Sequence, residues 1–260
     1  MSTHTDRELT SVVADSTVML RRNLRHVLRS PDTMLMAAAL PIMLMLLFVY
    51  VFGGAIDTGT EYINYVVPGI ILLCAAFGAS TTAVSVSTDM TEGIIDRFRT
   101  LPIAPSSFLT GHVLVSVVRN LATTAIVIAV ALLLGFRPTT DPLRWLAVLG
   151  VIGGFIFALS YLSTALGLLA KNPEAASGFT FAIMFLPYVS SAFVPADSMP
   201  SWLQWFAENQ PVTPIIETVR GLLMGTPIGH SAWLAVGWCA LITAVGFVWS
   251  NLLYRNRITG

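Results

Sequence analysis

Charged side chains are scarce in this sequence, and lysine is nearly absent. Asp, Glu, Lys and Arg together make up 11% of the 260 residues, and Lys171 is the only lysine. Soluble domains carry about 25% charged residues, because water must solvate their surface. With hydrophobic residues at 55%, a soluble globular protein is excluded, and we expect lipid to solvate the outer surface.

Cysteines are scarce as well, and so are clusters of residues that could act in catalysis. Cys74 and Cys239 lie inside apolar segments, which predicts neither a disulfide framework nor a metal site. His112 and His230 have no acidic or histidine neighbour three or four positions further along. A hydrolase acting inside the membrane needs such convergent groups, so the sequence argues against that class.

The sequence also has no phosphate-binding loop. The motif G-x-x-x-x-G-K-[ST] supplies a lysine for the phosphates and a hydroxyl for the metal ion. The single lysine, Lys171, stands between Ala170 and Asn172 and belongs to no such motif. We therefore expect neither ATP hydrolysis nor a bound cofactor on this chain.

Apolar stretches take the place of these groups. A helix needs about 20 apolar residues to cross a hydrocarbon core of about 30 Å. The crossings predicted on this basis are Thr33 to Phe52, Val66 to Val86, Val115 to Leu134, Leu146 to Leu169, Ala175 to Val194 and Trp233 to Leu253. We predict an all-α integral membrane protein with six transmembrane helices, in a single domain over residues 31–260.

The basic residues indicate the orientation. Cytoplasmic segments retain Lys and Arg. If the N-terminus lies inside, ten of the fourteen basic residues fall in inner segments, and only Arg137, Arg144 and Arg220 fall in outer ones. Both termini are therefore predicted to be cytoplasmic in a cell membrane protein, as an even number of crossings requires.

Residues 1–30 precede the first crossing and have two different faces. Apolar residues recur at spacings of three and four, while Arg21, Arg25 and Arg29 form a stripe. Such a helix lies in the interface, with its apolar face in the acyl boundary and its arginines at anionic headgroups. We predict an amphipathic interfacial helix here, in preference to an ordinary solvated helix.

Two features inside the crossings concern packing and burial. Gly150, Gly154 and Ala158 recur at every fourth position, which predicts close approach of another helix, of the same subunit in preference to a second subunit. Arg119 lies near the inner boundary of its crossing. We expect its side chain to extend to the inner headgroups.

The loop between the second and third crossings has a helical pattern over residues 89–105. Ile94, Ile95, Phe98 and Leu101 recur at helical spacing among charges of both signs. The pattern fits a short helix that docks onto a soluble partner, and it fits a solvated connector equally well.

The outer segment 195–229 is too long for a tight turn and too apolar for a free loop. Trp202, Trp205 and Phe206 fall at i, i+3 and i+4, a spacing that places aromatic rings together in the headgroup region. A second short helix is predicted over Pro214 to Met224, ended by Gly225. We expect a pair of half-inserted, re-entrant helices; a cap that only packs is the alternative.

Several motifs follow one another in a characteristic order. They are Val67-Pro68-Gly69, the run from Glu92 to Pro102, Leu134-Gly135-Phe136-Arg137, Pro200-Ser201-Trp202-Leu203, Pro211-Val212-Thr213-Pro214 and Arg220-Gly221-Leu222-Leu223-Met224-Gly225. With these motifs the chain resembles, over nearly its whole length, the permease subunits of type-2 ATP-binding-cassette exporters. Among them it is similar to the daunorubicin-resistance-like drug efflux permeases of actinobacteria.

The resemblance implies a cytoplasmic coupling helix, which transmits closure of two ATPase subunits to the membrane helices. The residues that would contact the ATPase are Glu92, Gly93, Asp96, Arg97, Arg99, Leu101 and Pro102. ATP and Mg would be bound by those partner subunits. Ile94 and Pro105 depart from the pattern of many members, which leaves the identity of the ATPase open.

The resemblance also implies a second permease, either another copy or a sister chain. The first, second and fifth crossings would face it and flank the substrate route. Candidate residues on that route are Ser80, Thr81, Ser85, Ser177, Thr180 and Phe185. Hydroxyls can instead satisfy the backbone of their own helix, and aromatic rings can pack against lipid.

The implied function is ATP-driven outward transport of an amphipathic drug or lipid-like substrate, with membrane lipid but no nucleic acid as a partner. Polysaccharide and glycolipid exporters share this architecture. A secondary transporter driven by an ion gradient would favour carboxylates near the membrane midplane. No Asp or Glu lies within the predicted crossings.

Overall fold

The computed structural model describes residues 31–56, 58–92, 105–139 and 141–259, and over these it is helical without strands. The α-helices, in chain order, are α1 (Pro31–Leu46), α2 (Tyr62–Thr91), α3 (Pro105–Leu133), α4 (Pro142–Leu169), α5 (Pro173–Phe185), α6 (Ser201–Asn209), α7 (Val212–Met224) and α8 (Ser231–Thr259). The predicted all-α architecture is confirmed. The amphipathic helix predicted for residues 1–30 lies outside the described residues.

Within the described part of the chain, five helices are long and apolar enough to cross a membrane. They span Met34–Phe52, Tyr62–Thr91, Leu109–Leu133, Pro142–Leu169 and Ser231–Arg255. The first of them combines α1 with a π-helical segment, Leu47–Phe52. These helices match the first, second, third, fourth and sixth predicted crossings.

The fifth predicted crossing differs from a single uninterrupted helix. The Asn172 side chain caps the start of α5 by accepting the Ala175 N–H at 2.8 Å, and the α-helix ends at Phe185. A 3₁₀ turn, Leu186–Val189, follows and contains Pro187. Proline has no N–H to donate and its ring clashes with the preceding helical turn, which explains the break.

Helix α2 lies at the centre of the bundle. It contacts α1, α3, α4, α5 and α7, and Val67, Ile70 and Leu72 are fully buried along it. A helix that is apolar on all sides is expected in such a position. Because several helices pack around α2, some of its polar side chains are buried against protein, among them Thr82 and Ser87.

Gly69 in α2 explains part of one motif found in the sequence. A Cβ at this position would lie 2.6 Å from the Cβ of Ala192 and 2.8 Å from its Cα. The glycine therefore lets the turn after α5 pack directly against α2. The Tyr62 hydroxyl donates to the Phe193 carbonyl at 2.8 Å and fastens the same turn.

The predicted close approach of another helix of the same subunit is wrong at Gly150 and Gly154, whereas Ala158, the third residue of the series, is fully buried. A Cβ added at either glycine would meet no atom within 4 Å, and both residues line an open apolar groove between α4 and α8. The close contact of these helices lies at Gly246 of α8, where a Cβ would be 2.7 Å from the Leu162 backbone nitrogen. The small residue that permits the contact therefore lies on α8 and not on α4.

Two short helices occupy the segment between α5 and α8, as predicted. Helix α7 ends at Gly225, whose φ of 74° is the left-handed conformation that favours glycine. Its residues Ile215 and Val219 are fully buried. On α6, Trp202 and Trp205 are 73% and 68% exposed, so the predicted aromatic face exists.

Candidate functional site

Hydroxyl side chains connect three helices in the interior of the bundle. The hydroxyls of Thr82 and Ser116 are 2.6 Å apart, and those of Ser116 and Ser160 are 2.9 Å apart. Ser160 donates in turn to the Ile156 carbonyl at 2.7 Å. This chain of hydrogen bonds joins α2, α3 and α4 and fixes their relative register.

Two of the six predicted route residues meet across α2 and α5. The hydroxyls of Ser80 and Thr180 are 2.8 Å apart, and Thr180 is fully buried. The Thr180 hydroxyl also lies within hydrogen-bond distance of the Ser177 carbonyl, at 3.0 Å. As the alternative interpretation allowed, this hydroxyl contacts its own helix, but it contacts the neighbouring helix as well.

Arg119 does not extend to the headgroups as predicted, because its guanidinium lies against α2. Its Nη2 atom donates to the Thr81 hydroxyl at 2.6 Å and to the Thr82 hydroxyl at 3.3 Å. The Gly78 carbonyl is a further acceptor at 3.5 Å. Thr81, a predicted route residue, is thus held by a cation from α3.

Asn120 follows Arg119 and is only 2% exposed. Its side-chain amide lies on Gly78 so closely that a Cβ at the glycine would overlap it. Its Nδ2 atom has no hydrogen-bond partner among the described residues. A buried amide without a partner costs free energy, so this group needs an explanation beyond packing.

A cavity of about 230 Å³ opens beside these side chains, between α1, α2, α3 and α5. The residues that line it are Met36, Ala37, Leu40, Cys74, Phe77, Gly78, Ser80, Thr81, Arg119, Asn120, Thr123 and Met184. We call it the Arg119 cavity. It combines an apolar wall with several hydrogen-bond donors, as binding sites for small molecules do.

Of the six predicted route residues, Ser80 and Thr81 line this cavity, and the other four lie outside its lining. Ser85 is half-buried on α2, and Ser177 is exposed on α5. Phe185 is 54% exposed, and its ring lies 6.4 Å from that of Phe181. The structure therefore brings Ser80 into contact with Thr180 and places Ser80 and Thr81 at the cavity.

Glu92 is the only predicted coupling residue among the described ones. It follows α2, is exposed, and donates its backbone N–H to the Thr88 carbonyl at 2.9 Å. The others, Gly93, Asp96, Arg97, Arg99, Leu101 and Pro102, lie outside the described residues.

A carboxylate–imidazole contact that sequence reasoning missed lies close to this end of α2. Asp89 Oδ2 and His112 Nε2 are 3.0 Å apart. The pair joins the last turns of α2 to the early part of α3, on either side of the segment 93–104. Local spacing could not reveal it, since the two residues are on different helices.

At the other end of α2, Arg220 of α7 holds three parts of the chain together. Its guanidinium donates to Glu217 at 2.6 Å, to the Tyr65 carbonyl at 3.1 Å and to the Ser191 carbonyl at 2.7 Å. It also stacks over the Tyr65 ring, 3.8 Å from the centroid. Such a planar fork fits several acceptors at once, and here it anchors α7 to α2.

Comparison with known proteins places this architecture in a family. A family model described as ABC-2 type transporter matches residues 16–224. The chain is 32% identical to the daunorubicin resistance ABC transporter permease protein DrrB1 of Streptomyces coeruleorubidus, over 84% of this chain and 78% of the relative. It is 28% identical to the "Probable doxorubicin resistance ABC transporter permease protein DrrC" of Mycobacterium tuberculosis, over 90% and 88%. The matched segment includes every residue that lines the Arg119 cavity.

Proposed function

The chain belongs to the ABC-2 type transporter family as a permease subunit of an ABC exporter, and we propose that it moves an amphipathic drug outward across the cell membrane. The names of its relatives support this cargo class, because they refer to resistance against daunorubicin and doxorubicin. The observation that carries the proposal is the extent of this similarity, because the family model matches residues 16–224, which include α1 to α7. Polysaccharide export and ion-driven secondary transport are not favoured by it.

ATP and Mg bind the partner ATPases in this proposal, and the permease responds to their closure. Two ATPase subunits dock at residues 89–105, where Glu92, Gly93, Asp96, Arg97, Arg99, Leu101 and Pro102 form the coupling surface. The Asp89–His112 pair supports this role, because it ties that segment's flanking helices together. A push on the segment then moves α2 and α3 as one unit.

The route runs along α2 and α5, between this permease and a second one. The contact between Ser80 and Thr180 and the cavity beside it support this part of the proposal. Helix α5 and its 3₁₀ turn complete a sixth crossing, with both termini in the cytoplasm. The amphipathic helix at residues 1–30 lies on the inner leaflet, and the short helices between residues 195 and 229 are half-inserted at the outer surface.

The direct test is drug accumulation in a drug-sensitive bacterium. Cells would express the full chain together with an ABC ATPase subunit, and cellular daunorubicin would be followed by its fluorescence. We expect lower accumulation than in cells whose ATPase lacks its phosphate-loop lysine. Equal accumulation in both strains, with both proteins in the membrane, would contradict export.

The coupling surface is tested by two charge-removing variants. We expect Glu92→Ala and Arg97→Ala to abolish most efflux while the ATPase still hydrolyses ATP, because hydrolysis is no longer transmitted to the bundle. Glu174→Ala is the matched control, since Glu174 is an exposed acid in the first turn of α5. Full efflux by both coupling variants would disprove the assignment.

A further inference from the structure

The Arg119 cavity has a positive charge that no acidic side chain balances. Among the described residues, no carboxylate lies within 4.0 Å of the Arg119 guanidinium. The partners of that guanidinium are neutral, namely the Thr81 and Thr82 hydroxyls and the Gly78 carbonyl. The adjacent Asn120 is 2% exposed, and its Nδ2 donor has no partner in the same part of the chain.

Both features carry a cost in free energy inside a membrane. A cation at membrane depth is disfavoured unless it finds a partner, and a buried donor without an acceptor carries its full desolvation penalty. A phosphate group would supply an opposite charge and several acceptor oxygens at once. Hydrogen bonds to such charged oxygens are stronger than those between neutral groups.

The position and size of the cavity point to a lipid headgroup. Met36 and Leu40 of α1 line it and are 79% and 46% exposed on the outside of the bundle. Met36 lies five residues after the start of α1 at Pro31, about 8 Å along the helix axis, so this part of the cavity is close to one membrane surface. The volume of about 230 Å³ is below the roughly 300 to 1,000 Å³ of pockets that enclose a drug-sized ligand. The cavity therefore has room for part of a headgroup whose acyl chains lie outside it.

We propose that Arg119 and Asn120 bind the phosphate of a membrane phospholipid, from the leaflet in which α1 begins. Basic pockets between transmembrane helices bind anionic headgroups in this way. The acyl chains lie along α1, where only 17% of the most apolar stretch is buried by the rest of the chain. This lipid is a resident partner of the helix bundle and not cargo.

The bound phosphate also matters for cargo, a consequence that rests on the proposed function. Ser80 and Thr81 belong to the proposed route and to the lining of this cavity. An unbalanced guanidinium there would repel a drug with a cationic amino group, such as daunorubicin, because like charges repel more strongly where water is scarce. The phosphate balances this charge and leaves the route open to a cationic drug.

The binding test uses the full chain alone, purified in dodecyl maltoside, a detergent without phosphate. Phosphatidylglycerol and a diglucosyl diacylglycerol with the same acyl chains are added in equal amounts, and native mass spectrometry counts the lipids that each chain retains. We expect one phosphatidylglycerol to be retained about ten-fold more than the phosphate-free glycolipid, because a charged acceptor replaces a neutral one. Equal retention of both lipids would overturn the proposal. No drug is present, so cargo cannot produce the signal.

Variants of one arginine assign the retained lipid to the cavity. We expect Arg119→Met to lose the preference for phosphatidylglycerol and Arg119→Lys to keep part of it, because the charge remains without the guanidinium fork. Arg255→Met is the matched control, since Arg255 is exposed near the end of α8 and lies outside the lining of the cavity. An unchanged preference in Arg119→Met, or an equal loss in Arg255→Met, would contradict the assignment.

A carboxylate introduced at Thr81 tests whether charge balance is the cause. The Thr81 hydroxyl lies 2.6 Å from the Nη2 atom of Arg119, so an aspartate there can pair with the guanidinium in place of a phosphate. We expect Thr81→Asp to lose the preference for phosphatidylglycerol and Thr81→Asn, which has the same size without the charge, to keep it. A preference that persists in Thr81→Asp would show that Arg119 needs no lipid phosphate.

Competition settles the source of the phosphate. We expect an excess of inorganic phosphate to leave the retained phosphatidylglycerol in place, because the acyl chains along α1 add contacts that a free anion lacks. Displacement by inorganic phosphate would indicate a site for a soluble anion and overturn the assignment to lipid. Neither drug nor ATPase is present, so failure here leaves drug efflux by the assembled transporter untouched, and the two results can be told apart.

Discussion

Gly69 and Gly150 both lie inside long helices, yet their surroundings differ. At Gly69 a Cβ would press on the Ala192 backbone, with the Cα at 2.8 Å and the carbonyl oxygen at 2.9 Å. At Gly150 a Cβ would meet nothing within 4 Å. The first glycine is required by packing, while the second only weakens its helix.

We expect alanine at these two positions to change stability in opposite directions. Gly69→Ala should cost about 1–3 kcal/mol, because a backbone segment has to move to make room. Gly150→Ala should gain about 0.5–1 kcal/mol, because alanine is the better helix former. Thermal unfolding of the two full-length variants in the same detergent measures the difference. Equal changes in melting temperature would show that the Ala192 backbone moves aside without a cost in free energy.

The polar side chains show what sequence alone could and could not reveal. Six route residues were predicted as one group, and the structure places two of them, Ser80 and Thr180, in side-chain contact. Arg119 was recognised as unusual, but its direction depends on α2, which contacts it from another part of the chain. Asn120 was overlooked, although an Arg-Asn pair in an apolar segment is a visible signal.

Helix boundaries follow a similar division. Apolar length identified the long helices, and Gly225 correctly marked the end of α7. The break after Phe185 was missed because Pro187 stands in an otherwise apolar run that reads as a single crossing. The groove between α4 and α8 was missed because a spacing of small residues does not say whether a neighbour fills the gap.

The link between α2 and α3 leads to a prediction about coupling. Asp89 and His112 join these helices at 3.0 Å beside the proposed coupling segment. We expect Asp89→Asn to lower the amount of drug moved per ATP hydrolysed, because the helices no longer move together. Proteoliposomes that contain the assembled transporter allow both rates to be measured, with Glu174→Gln as the control. The interpretation fails if the ratio matches the wild type while the variant is correctly inserted.

The distribution of burial across the chain indicates how it is surrounded. In the most apolar stretch of the α2 span, 67% of the residues are buried. The corresponding share is 17% in the first span and 11% in the last. Helices α1 and α8 therefore expose most of their apolar surface to lipid or to another subunit. The proposed second permease would cover part of this exposed surface.

The number of crossings decides whether the two termini lie on the same side of the membrane. Helix α5 has 13 residues and its 3₁₀ turn has 4. At about 1.5 Å and 2.0 Å per residue they extend about 27 Å, close to the hydrocarbon thickness of about 30 Å. If this segment crosses, Lys171 and Ser198 lie on opposite sides of the membrane. If it does not, Lys171 and Ser198 lie on the same side, and the two termini lie on opposite sides of the membrane.

Cysteine labelling in intact cells distinguishes these arrangements. Single cysteines would be introduced at exposed positions, Glu92, Lys171, Thr60 and Ser198, after both native cysteines are replaced by alanine. We expect a membrane-impermeant maleimide to label Thr60→Cys and Ser198→Cys in intact cells, and Glu92→Cys and Lys171→Cys only after lysis. Labelling of Lys171→Cys and Ser198→Cys from the same side would mean that α5 enters the membrane and returns. The chain would then have five crossings, and the placement of both termini in the cytoplasm would have to be abandoned.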